Sequence, residues 1–181
     1  SNVPIAREWY PYETQKNIEL RTTPTYSSNN LYGTIFAGTE LQIDLLHVTK
    51  AVVNSKTYWY APVQVNDDEV VYCDISDQSA IRPMRAPSGN DWWKYKVVWK
   101  DGVNIRAFAN SYPETNIVTK IPTNDTIELD LNHTMREPKY GDTWAFARYK
   151  QSDGTYVYGW CIESDSNYMQ KQDKIGNSAH Y

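Results

Sequence analysis

Short runs in which apolar and polar residues alternate recur along the whole chain and predict β-strands. In residues 17–21 Ile18 and Leu20 alternate with polar neighbours, and residues 57–65 form a strongly aromatic run. Turn-forming residues separate the runs, as in the Asn-Asp-Asp of residues 66–68 and the Asp-Gly of residues 101–102. No stretch has a sustained helical period. The pattern therefore predicts an all-β protein.

The strand pattern occurs twice. Residues 40–47 read ELQIDLLH and residues 126–133 read TIELDLNH, and both ends of the match are offset by 86 positions, since 126 − 40 and 133 − 47 are equal. The same offset aligns VVY at residues 70–72 with YVY at residues 156–158. Slipped by one residue, it also aligns Trp59 with Trp144. A shared offset over separated segments indicates two copies of one module, each with about five to seven short strands.

The duplication gives the domain organisation. We expect a first module in residues 1–80, a linker in residues 81–91, a second module in residues 92–170 and a polar tail in residues 171–181. The linker is assigned because that stretch contains prolines and a glycine without periodicity. An aromatic ribbon precedes each copy, in residues 9–12 and 92–99, and Pro11 suggests that the first ribbon is an edge strand.

Composition excludes several classes of function. The net charge of −4 and the sequence pI of about 5.4 argue against nucleic-acid binding, which needs clustered Lys and Arg. A strongly anionic membrane surface is disfavoured for the same reason. No apolar run approaches the roughly 20 residues of a membrane span, and the first residues lack the pattern of a signal peptide. Aromatic residues make up 14% of the chain, so its rings supply much of the apolar surface.

The two cysteines do not point to catalysis. With the offset of 86, Cys73 aligns with Gly159 and Cys161 aligns with Ile75, so the sequence places them at different sites in the two copies. We expect each to be a buried small hydrophobic residue without a disulfide. A small cysteine hydrolase is kept only as a residual hypothesis.

Histidines and aspartates are repeated with the strands. His47 aligns with His133, and Asp44 aligns with Asp130. Duplication of the histidine without the cysteine favours a structural role, and the aspartates are expected to bond to a turn or to the backbone. Glycine-rich phosphate loops, serine nucleophile elbows and metal-ligand spacings are absent from the sequence. The sequence therefore predicts no catalysis, no metal and no cofactor.

Several short motifs resemble the bacterial SH3-like (SH3b) domain. The opening of that family, close to N-V-R-S-G-P-S, is matched by residues 18–25 (IELRTTPT) and by residues 103–108 (VNIRAF). Its aromatic strand is matched loosely by Tyr58-Trp59-Tyr60 and by residues 143–146 (TWAF). Its closing strand is matched by residues 158–161 (YGWC), whereas the first copy has Cys73-Asp74 there.

This resemblance implies two tandem small SH3-like barrels that bind the bacterial cell wall. It implies a peptidoglycan peptide or a wall polymer such as teichoic acid as ligand, and a secreted, wall-associated location. Such modules are attached to peptidoglycan hydrolases, including autolysins and phage endolysins, so it also implies a catalytic domain elsewhere in the full-length protein. The alternative is a structural protein-interaction module of a secreted or phage-borne assembly.

Candidate ligand-binding residues lie mainly in the first loop of each copy. Tyrosine offers a flat apolar face and a hydroxyl, and asparagine offers a donor and an acceptor, which suits a peptide or sugar. The loop tyrosines could equally cover the end of the barrel. Trp59 and Trp144 are expected in the core, and Trp92, Trp93 and Trp99 between the modules or on the binding face. The candidates are Tyr26, Asn29, Asn30, Tyr32, Tyr60, Tyr112, Glu114, Asn116 and Trp160.

Overall fold

The chain forms two compact β units. The computed structural model describes residues 5–175, and contacts divide the chain between Pro83 and Met84. Each unit contains one antiparallel sheet, and the only helical segment among the described residues is a single 3₁₀ turn at Glu114–Asn116. The predicted all-β class and the two small β units are thus confirmed. No helix in residues 5–175 is long and apolar enough to cross a bilayer.

The first unit has a sheet of eight strands. Along the sheet they run in the order β3-β2-β7-β6-β4-β1-β8, with β5 pairing separately on β6. All of these pairings are antiparallel. The strands are β1 (Tyr10–Thr14), β2 (Ile18–Arg21), β3 (Leu31–Ile35), β4 (Glu40–Ile43), β5 (Thr49–Val53), β6 (Lys56–Asn66), β7 (Glu69–Asp74) and β8 (Ile81–Pro83).

The second unit repeats this topology with seven strands. They run in the order β11-β10-β14-β13-β12-β9-β15, which matches the first sheet position by position. The long strand β12 takes the places of both β4 and β5 on its neighbour. The strands are β9 (Trp92–Val97), β10 (Val103–Arg106), β11 (Ile117–Ile121), β12 (Thr126–Arg136), β13 (Thr143–Lys150), β14 (Tyr156–Ile162) and β15 (Met169–Lys174).

Strand register corrects the expected positions of the cysteines. Cys73 lies opposite Ala61, and Cys161 lies opposite Ala145. The two cysteines are therefore equivalent, with an offset of 84 on the first strand of the hairpin (145 − 61) and 88 on the second (161 − 73). The single offset of 86 missed this because the second hairpin is four residues longer. Three of these lie in the loop, which spans residues 151–155 instead of 67–68, and the pairing irregularity of the first hairpin between Gln64 and Asn66 accounts for the fourth.

The same register separates Trp59 from Trp144. The residue equivalent to Trp144 is Tyr60. Trp144 lies opposite Ile162, the last residue of β14, and Tyr60 lies opposite Asp74, the last residue of β7. Trp144 is 3% exposed and lies in the core as expected, but Trp59 is 44% exposed. The predicted burial of Trp59 is therefore wrong. The face of the strand does not explain its exposure, because Ala61 lies on the same face of β6 and is completely buried.

Each unit has its own apolar core on the inner face of its sheet. In the first unit the largest fully buried side chains include Tyr10, Tyr12, Leu20 and Ile43. In the second unit the core is a cluster formed by Tyr95, Val97, Val103, Ile105, Ile121, Ile127, Leu129, Ala145, Ala147, Cys161 and Met169. The β1 ribbon is not at an edge, because it pairs with both β4 and β8. Pro11 is accommodated because β8 begins its pairing only at Tyr12.

Strands extend into the segments expected to be linker and tail. Residues 81–83 of the expected linker form β8, in which Ile81 is buried and lies opposite Thr14. Residues 171–174 of the expected tail belong to β15, which pairs with β9. Both are short edge strands that are held in an extended conformation by hydrogen bonds to one neighbouring strand, so the alternation of apolar and polar residues alone did not predict them. Residues 176–181 of the expected tail lie outside the described part of the chain.

Candidate functional site

Equivalent grooves lie on the two units, and they form the candidate site. The first groove, of about 350 Å³, is lined by Arg21, Tyr26, Tyr58, Tyr60 and Asp77 among others. The second groove, of about 360 Å³, is lined by residues that include Trp99, Arg106, Trp144, Asp165 and Tyr168. By strand pairing, Arg21 corresponds to Arg106, and Tyr60 corresponds to Trp144. Asp77 lies three residues after the end of β7, and Asp165 lies three residues after the end of β14. The duplication has therefore preserved a surface site as well as a core.

A buried arginine and asparagine hold the first loop of unit one. The Arg21 guanidinium donates from Nη1 to Oδ1 of Asn30 over 3.2 Å and to the carbonyl of Ser27 over 3.1 Å. The Asn30 amide donates to Oγ1 of Thr23 over 3.0 Å and to the carbonyl of Thr25 over 2.7 Å. Asn30 was predicted to bind ligand, but it is buried and its amide is committed to the loop. It shapes the groove from behind.

The second unit contains the same pair. Arg106 donates from Nη1 to Oδ1 of Asn116 over 2.8 Å, and the Asn116 amide donates to the Asn110 side-chain and backbone oxygens over 2.9 and 3.1 Å. Asn116 is completely buried, so it too is a loop anchor and not a ligand contact. The sequence showed both arginines at equivalent positions but did not show that an asparagine about ten residues later closes each loop.

Three stacked tyrosines form one wall of the first groove. The rings of Tyr26 and Tyr58 are 5.6 Å apart and nearly parallel, at 8°, and those of Tyr58 and Tyr60 are 5.8 Å apart at 19°. Arg21 lies 4.5 Å over the Tyr26 ring, and Lys56 lies 4.7 Å over the Tyr58 ring. Burial, followed by the nearby Asp74 carboxylate, raises the pKa of Tyr60 to about 12. The wall presents ring faces and hydroxyl groups next to cations.

Of the five residues predicted in unit one, two line the groove, and three, including the buried Asn30, do not. Tyr26 and Tyr60 line the groove, and their partner Tyr58 was not predicted. Asn29 is exposed and accepts a hydrogen bond from the Ser27 hydroxyl over 2.6 Å. Tyr32 donates to the Glu69 carboxylate over 3.2 Å, and that carboxylate raises the pKa of the Tyr32 hydroxyl. Neither Asn29 nor Tyr32 lines the first groove.

In the second unit the predicted residues lie outside the groove. Tyr112 is 79% exposed and Glu114 is exposed on the loop that precedes β11, and neither lines the second groove. Trp160 was predicted to contact ligand, but it is completely buried and packs edge-on against Phe146, with ring centroids 5.3 Å apart. The prediction failed because both faces of β14 are buried at this point: Trp160 and its neighbour Cys161 point to opposite faces, and both are completely buried.

Other rings take those places in the second groove. Trp99 and Tyr168 line it and meet edge to face, with centroids 5.3 Å apart. Trp144 also lines it, and its indole Nε1–H has no acceptor among the described residues. Of the ribbon tryptophans, Trp92 instead lies under the Arg148 guanidinium at 4.1 Å, and Trp93 lies under the Lys171 ammonium at 4.1 Å.

In each unit a buried aspartate and a histidine three residues later support an irregular segment, which follows β4 in the first unit and interrupts the pairing of β12 in the second. Oδ2 of Asp44 lies 2.7 Å from Nδ1 of His47, and Oδ2 of Asp130 lies 2.6 Å from Nδ1 of His133. In each case the other carboxylate oxygen accepts the backbone N–H two residues on, over 3.0 Å. This is the turn and backbone role expected for the two aspartates.

Each aspartate also holds the segment that leads into the first strand of its unit. Asp44 pairs with Arg7 at 3.0 Å, and Asp130 accepts hydrogen bonds from the Asn90 amide at 2.6 Å and the Asp91 backbone N–H at 2.9 Å. Burial would raise the pKa of Asp130, but the hydrogen bonds from His133, Asp91 and Asn90 outweigh it and lower that pKa. These aspartates are structural supports.

The cysteine thiols are poorly suited to nucleophilic chemistry. Both are fully buried and free, and burial raises the pKa of each thiol to about 12. A catalytic cysteine needs a thiolate in an accessible, electropositive site. Among residues 5–175 there is also no group of three His, Cys, Asp or Glu side chains placed to hold a metal ion.

Comparison with known proteins adds little. No protein-family model matches the chain, and no curated protein sequence matches it. Among solved structures, it is similar to the structure of NlpC2 from Trichomonas vaginalis, with 12% sequence identity and a TM-score of 0.30. The match covers 93% of this chain and 50% of that chain, so this chain spans about half of its length. A similarity this low carries no functional information.

Proposed function

We propose that the chain is a non-catalytic module that binds the bacterial cell wall through its two equivalent grooves. The observation that carries the proposal is the groove itself, which recurs at the same place in both units with an arginine, an aromatic side chain and an aspartate at related positions. A core needs no such surface feature, so its recurrence favours a binding role. The wall as ligand follows from the SH3b-like motifs of the sequence.

The lining of the grooves supports a peptide or sugar ligand. Stacked tyrosine faces suit the flat apolar side of a sugar ring or a peptide backbone. Arginine, lysine and aspartate side chains around the same surface supply charged hydrogen-bond donors and acceptors. Peptidoglycan carries glycan, peptide, amine and carboxylate groups close together, which fits this mixed lining.

Two grooves on one chain favour a repetitive polymer as partner. When one groove is occupied, the second site on the chain meets neighbouring ligand at a high effective concentration, which raises the overall affinity without new contacts. The proposal therefore places the chain on the outside of the cell, attached to the wall. A catalytic domain in the full-length protein, such as a peptidoglycan hydrolase, would then be delivered to its substrate.

The absence of catalysis in this chain is part of the proposal. It is supported by the two buried thiols of high pKa and by His47 and His133, each of which uses Nδ1 to hold a buried aspartate. The thiols are therefore not available as nucleophiles in the grooves, and these histidines are not placed beside them as bases.

Co-sedimentation with Gram-positive sacculi tests the proposal. We expect the purified chain to sediment with intact sacculi, and sedimentation after acid removal of teichoic acids would assign the ligand to peptidoglycan. Tyr26→Ala should reduce sedimentation because Tyr26 lines the first groove. Tyr32→Ala is a matched control, because the two tyrosines are 44% and 45% exposed and only Tyr26 lies in the groove. Failure to sediment with any sacculus would refute wall binding.

A protein-interaction module is the second candidate, favoured by exposed apolar residues in the first unit. They are Leu31, Phe36, Val52 and Trp59. Lys50 and Trp59 face each other across β5 and β6, with the ammonium 5.6 Å from the ring. Substituting Phe36 and Val52 by Ser should leave sacculus binding unchanged if the grooves bind the wall. Loss of binding in that variant, with Tyr26→Ala unaffected, would favour the exposed apolar residues over the grooves.

A further inference from the structure

Building on the proposed function, we propose that the second groove binds the free carboxylate of a short peptide. Its hydrogen-bond donors are the guanidinium of Arg106 and the indole N–H of Trp144, both of which line the groove. The first groove lacks this arrangement. The two grooves would then recognise different parts of the wall.

The indole N–H of Trp144 provides the first argument. The side chain is 3% exposed, and its Nε1 is a buried donor for which residues 5–175 provide no acceptor. A buried tryptophan N–H normally finds a hydrogen-bond partner, and leaving it unpaired destabilises the folded protein. Because Trp144 forms part of the groove lining, we infer that an oxygen atom of a bound ligand supplies that acceptor.

The guanidinium of Arg106 provides the second, independent argument. Within the described part of the chain it donates one hydrogen bond, to Asn116, and it forms no ion pair. Its burial lowers the pKa of the group, an effect opposed by the charge of Glu114 and too small to discharge a guanidinium. A half-buried arginine with unused donors in a groove is suited to bidentate binding of a carboxylate.

Comparison with the first groove shows that this arrangement is particular to the second unit. There Arg21 is paired with Glu19, with Nη2 and Oε1 3.1 Å apart, so its charge is already balanced by the chain. The residue that corresponds to Glu19 is Asn104, because Arg21 and Arg106 are equivalent and each lies two residues later. Tyr60 replaces Trp144, and a phenol can either donate or accept. Among the described residues, only the second groove therefore combines an arginine that forms no ion pair with an obligatory donor.

The remaining charges of the second groove favour a peptide over an anionic wall polymer. Asp101, Asp142 and Asp165 line it together with Lys120 and Arg106. Three carboxylates would repel a polymer that carries a phosphate on every repeat. They tolerate one carboxylate held by Arg106, and they favour an amine elsewhere on the same ligand. A short peptide with a free carboxyl end has this chemistry.

Nuclear magnetic resonance with a matched pair of peptides tests the inference. The probes are acetyl-alanyl-alanine and the same peptide with a carboxamide in place of the carboxylate. The chain has seven tryptophans, and the indole signal that disappears in Trp144→Phe identifies Trp144. We expect the acid to shift that signal in a saturable way and the amide to shift it far less. Equal shifts with both peptides, no shift with either, or an equal shift with inorganic phosphate would overturn the proposal.

Substitutions give a second measurement. Trp144→Phe removes the donor and keeps a ring, and it should weaken binding of the acid at least about tenfold, the effect expected for a lost hydrogen bond to a charged group. Tyr60→Phe makes the equivalent change in the first groove and should leave the affinity for the acid unchanged. If Trp144→Phe does not fold, as judged by circular dichroism, the Trp144 indole signal is identified by sequence-specific assignment of the unaltered protein, and the peptide pair still decides the question.

The inference and the proposed function can fail separately. If the chain sediments with sacculi but does not distinguish acid from amide, wall binding stands and carboxylate recognition is wrong. If it distinguishes the two peptides but does not sediment with any sacculus, the carboxylate site stands and its assignment to the wall is wrong.

Discussion

Arg106 and Asn116 are joined by a 2.8 Å hydrogen bond from guanidinium to side-chain carbonyl, ten residues apart in sequence and behind the groove of the second unit. The first unit has the same bond between Arg21 and Asn30. In both units the arginine closes its strand and the asparagine closes the loop that follows. The pair therefore connects the fold to the candidate site, because the strand, the loop and the groove share one arginine.

Removing the asparagine should destabilise its unit. Asn30→Ala deletes hydrogen bonds to Arg21, Thr23 and Thr25 in a buried site, and we expect a loss of about 2 kcal/mol in the free energy of unfolding. Asn29→Ala is the matched control at the adjacent exposed position and should change stability by less than about 0.5 kcal/mol. Urea denaturation followed by tryptophan fluorescence measures both. Equal effects of the two substitutions would contradict a structural role for Asn30.

A glycine in the second sheet is predicted to be irreplaceable. A Cβ at Gly159 would lie 2.4 Å from Cγ2 of Ile105 and 2.6 Å from the carbonyl oxygen of Arg106. Gly159→Ala must therefore displace the strand that carries Arg106, and we expect a cost of about 1–3 kcal/mol. Gly33→Ala is the control, because nothing lies within 4 Å of a Cβ at that position. Thermal denaturation should show a lower midpoint for the first variant alone.

Stability should depend on pH through Asp130. Its pKa in the folded protein is below the ordinary value of 3.8, so the stabilisation is fully present above that value and is lost as pH falls through the lower, folded pKa. Asp130→Asn should cost about 3 kcal/mol near neutral pH, because it removes one partner from a buried network. The difference from the unaltered protein should shrink towards pH 2, as measured by urea denaturation. A constant difference across that range would show that the charge of Asp130 does not contribute.

Acid should also weaken a surface contact in the first unit. Hydrogen bonds from Lys16 and then Ser79 lower the pKa of Asp77 to about 2, so this carboxylate remains ionised well below its ordinary value of 3.8. Its stabilising effect is present above pH 4 and is lost as pH falls towards 2. Because the pair with Lys16 is exposed on both sides, Asp77→Asn should change stability by no more than about 1 kcal/mol. An acid titration of Asp77 followed by carboxyl carbon resonances checks the direction.

The thiols should be unreactive in the folded protein. With a pKa of about 12, Cys73 and Cys161 carry almost no thiolate at pH 8, and their burial blocks access. We expect a disulfide reagent to modify neither cysteine until urea unfolds the chain, and groove binding to survive the reagent. Rapid modification of either thiol under native conditions would revive the cysteine hydrolase hypothesis.

Sequence reasoning recovered the repeat but not its detailed alignment. The segments around Asp44 and Asp130 were aligned correctly, as their shared geometry shows: each aspartate accepts the backbone N–H two residues later over 3.0 Å. The closing hairpin was misaligned by two residues in each strand, which hid the equivalence of Cys73 and Cys161. Insertions in a surface loop cost little, so one offset does not hold across a hairpin.

For the candidate site, the sequence identified residue types better than positions. Tyr26 and Tyr60 were predicted and do line a groove, whereas Asn30, Asn116 and Trp160 are buried. An asparagine in a loop looks the same in sequence whether its amide faces a ligand or the loop itself. The difference lies in the positions of groups several residues away, such as the Arg106 guanidinium.

The sequence alone determined that the chain is all-β and consists of two copies of one module, because period-two alternation and internal repetition are local properties of the residue order. Only the tertiary structure decided which rings are exposed and which groups share a groove. The sequence aligns Trp59 with Trp144, but Trp144 is buried and Trp59 is exposed, although Trp59 shares its face of β6 with the completely buried Ala61. Register is set by pairing with distant strands, and the groove exists only where that pairing brings Arg106 and Trp144 to one surface.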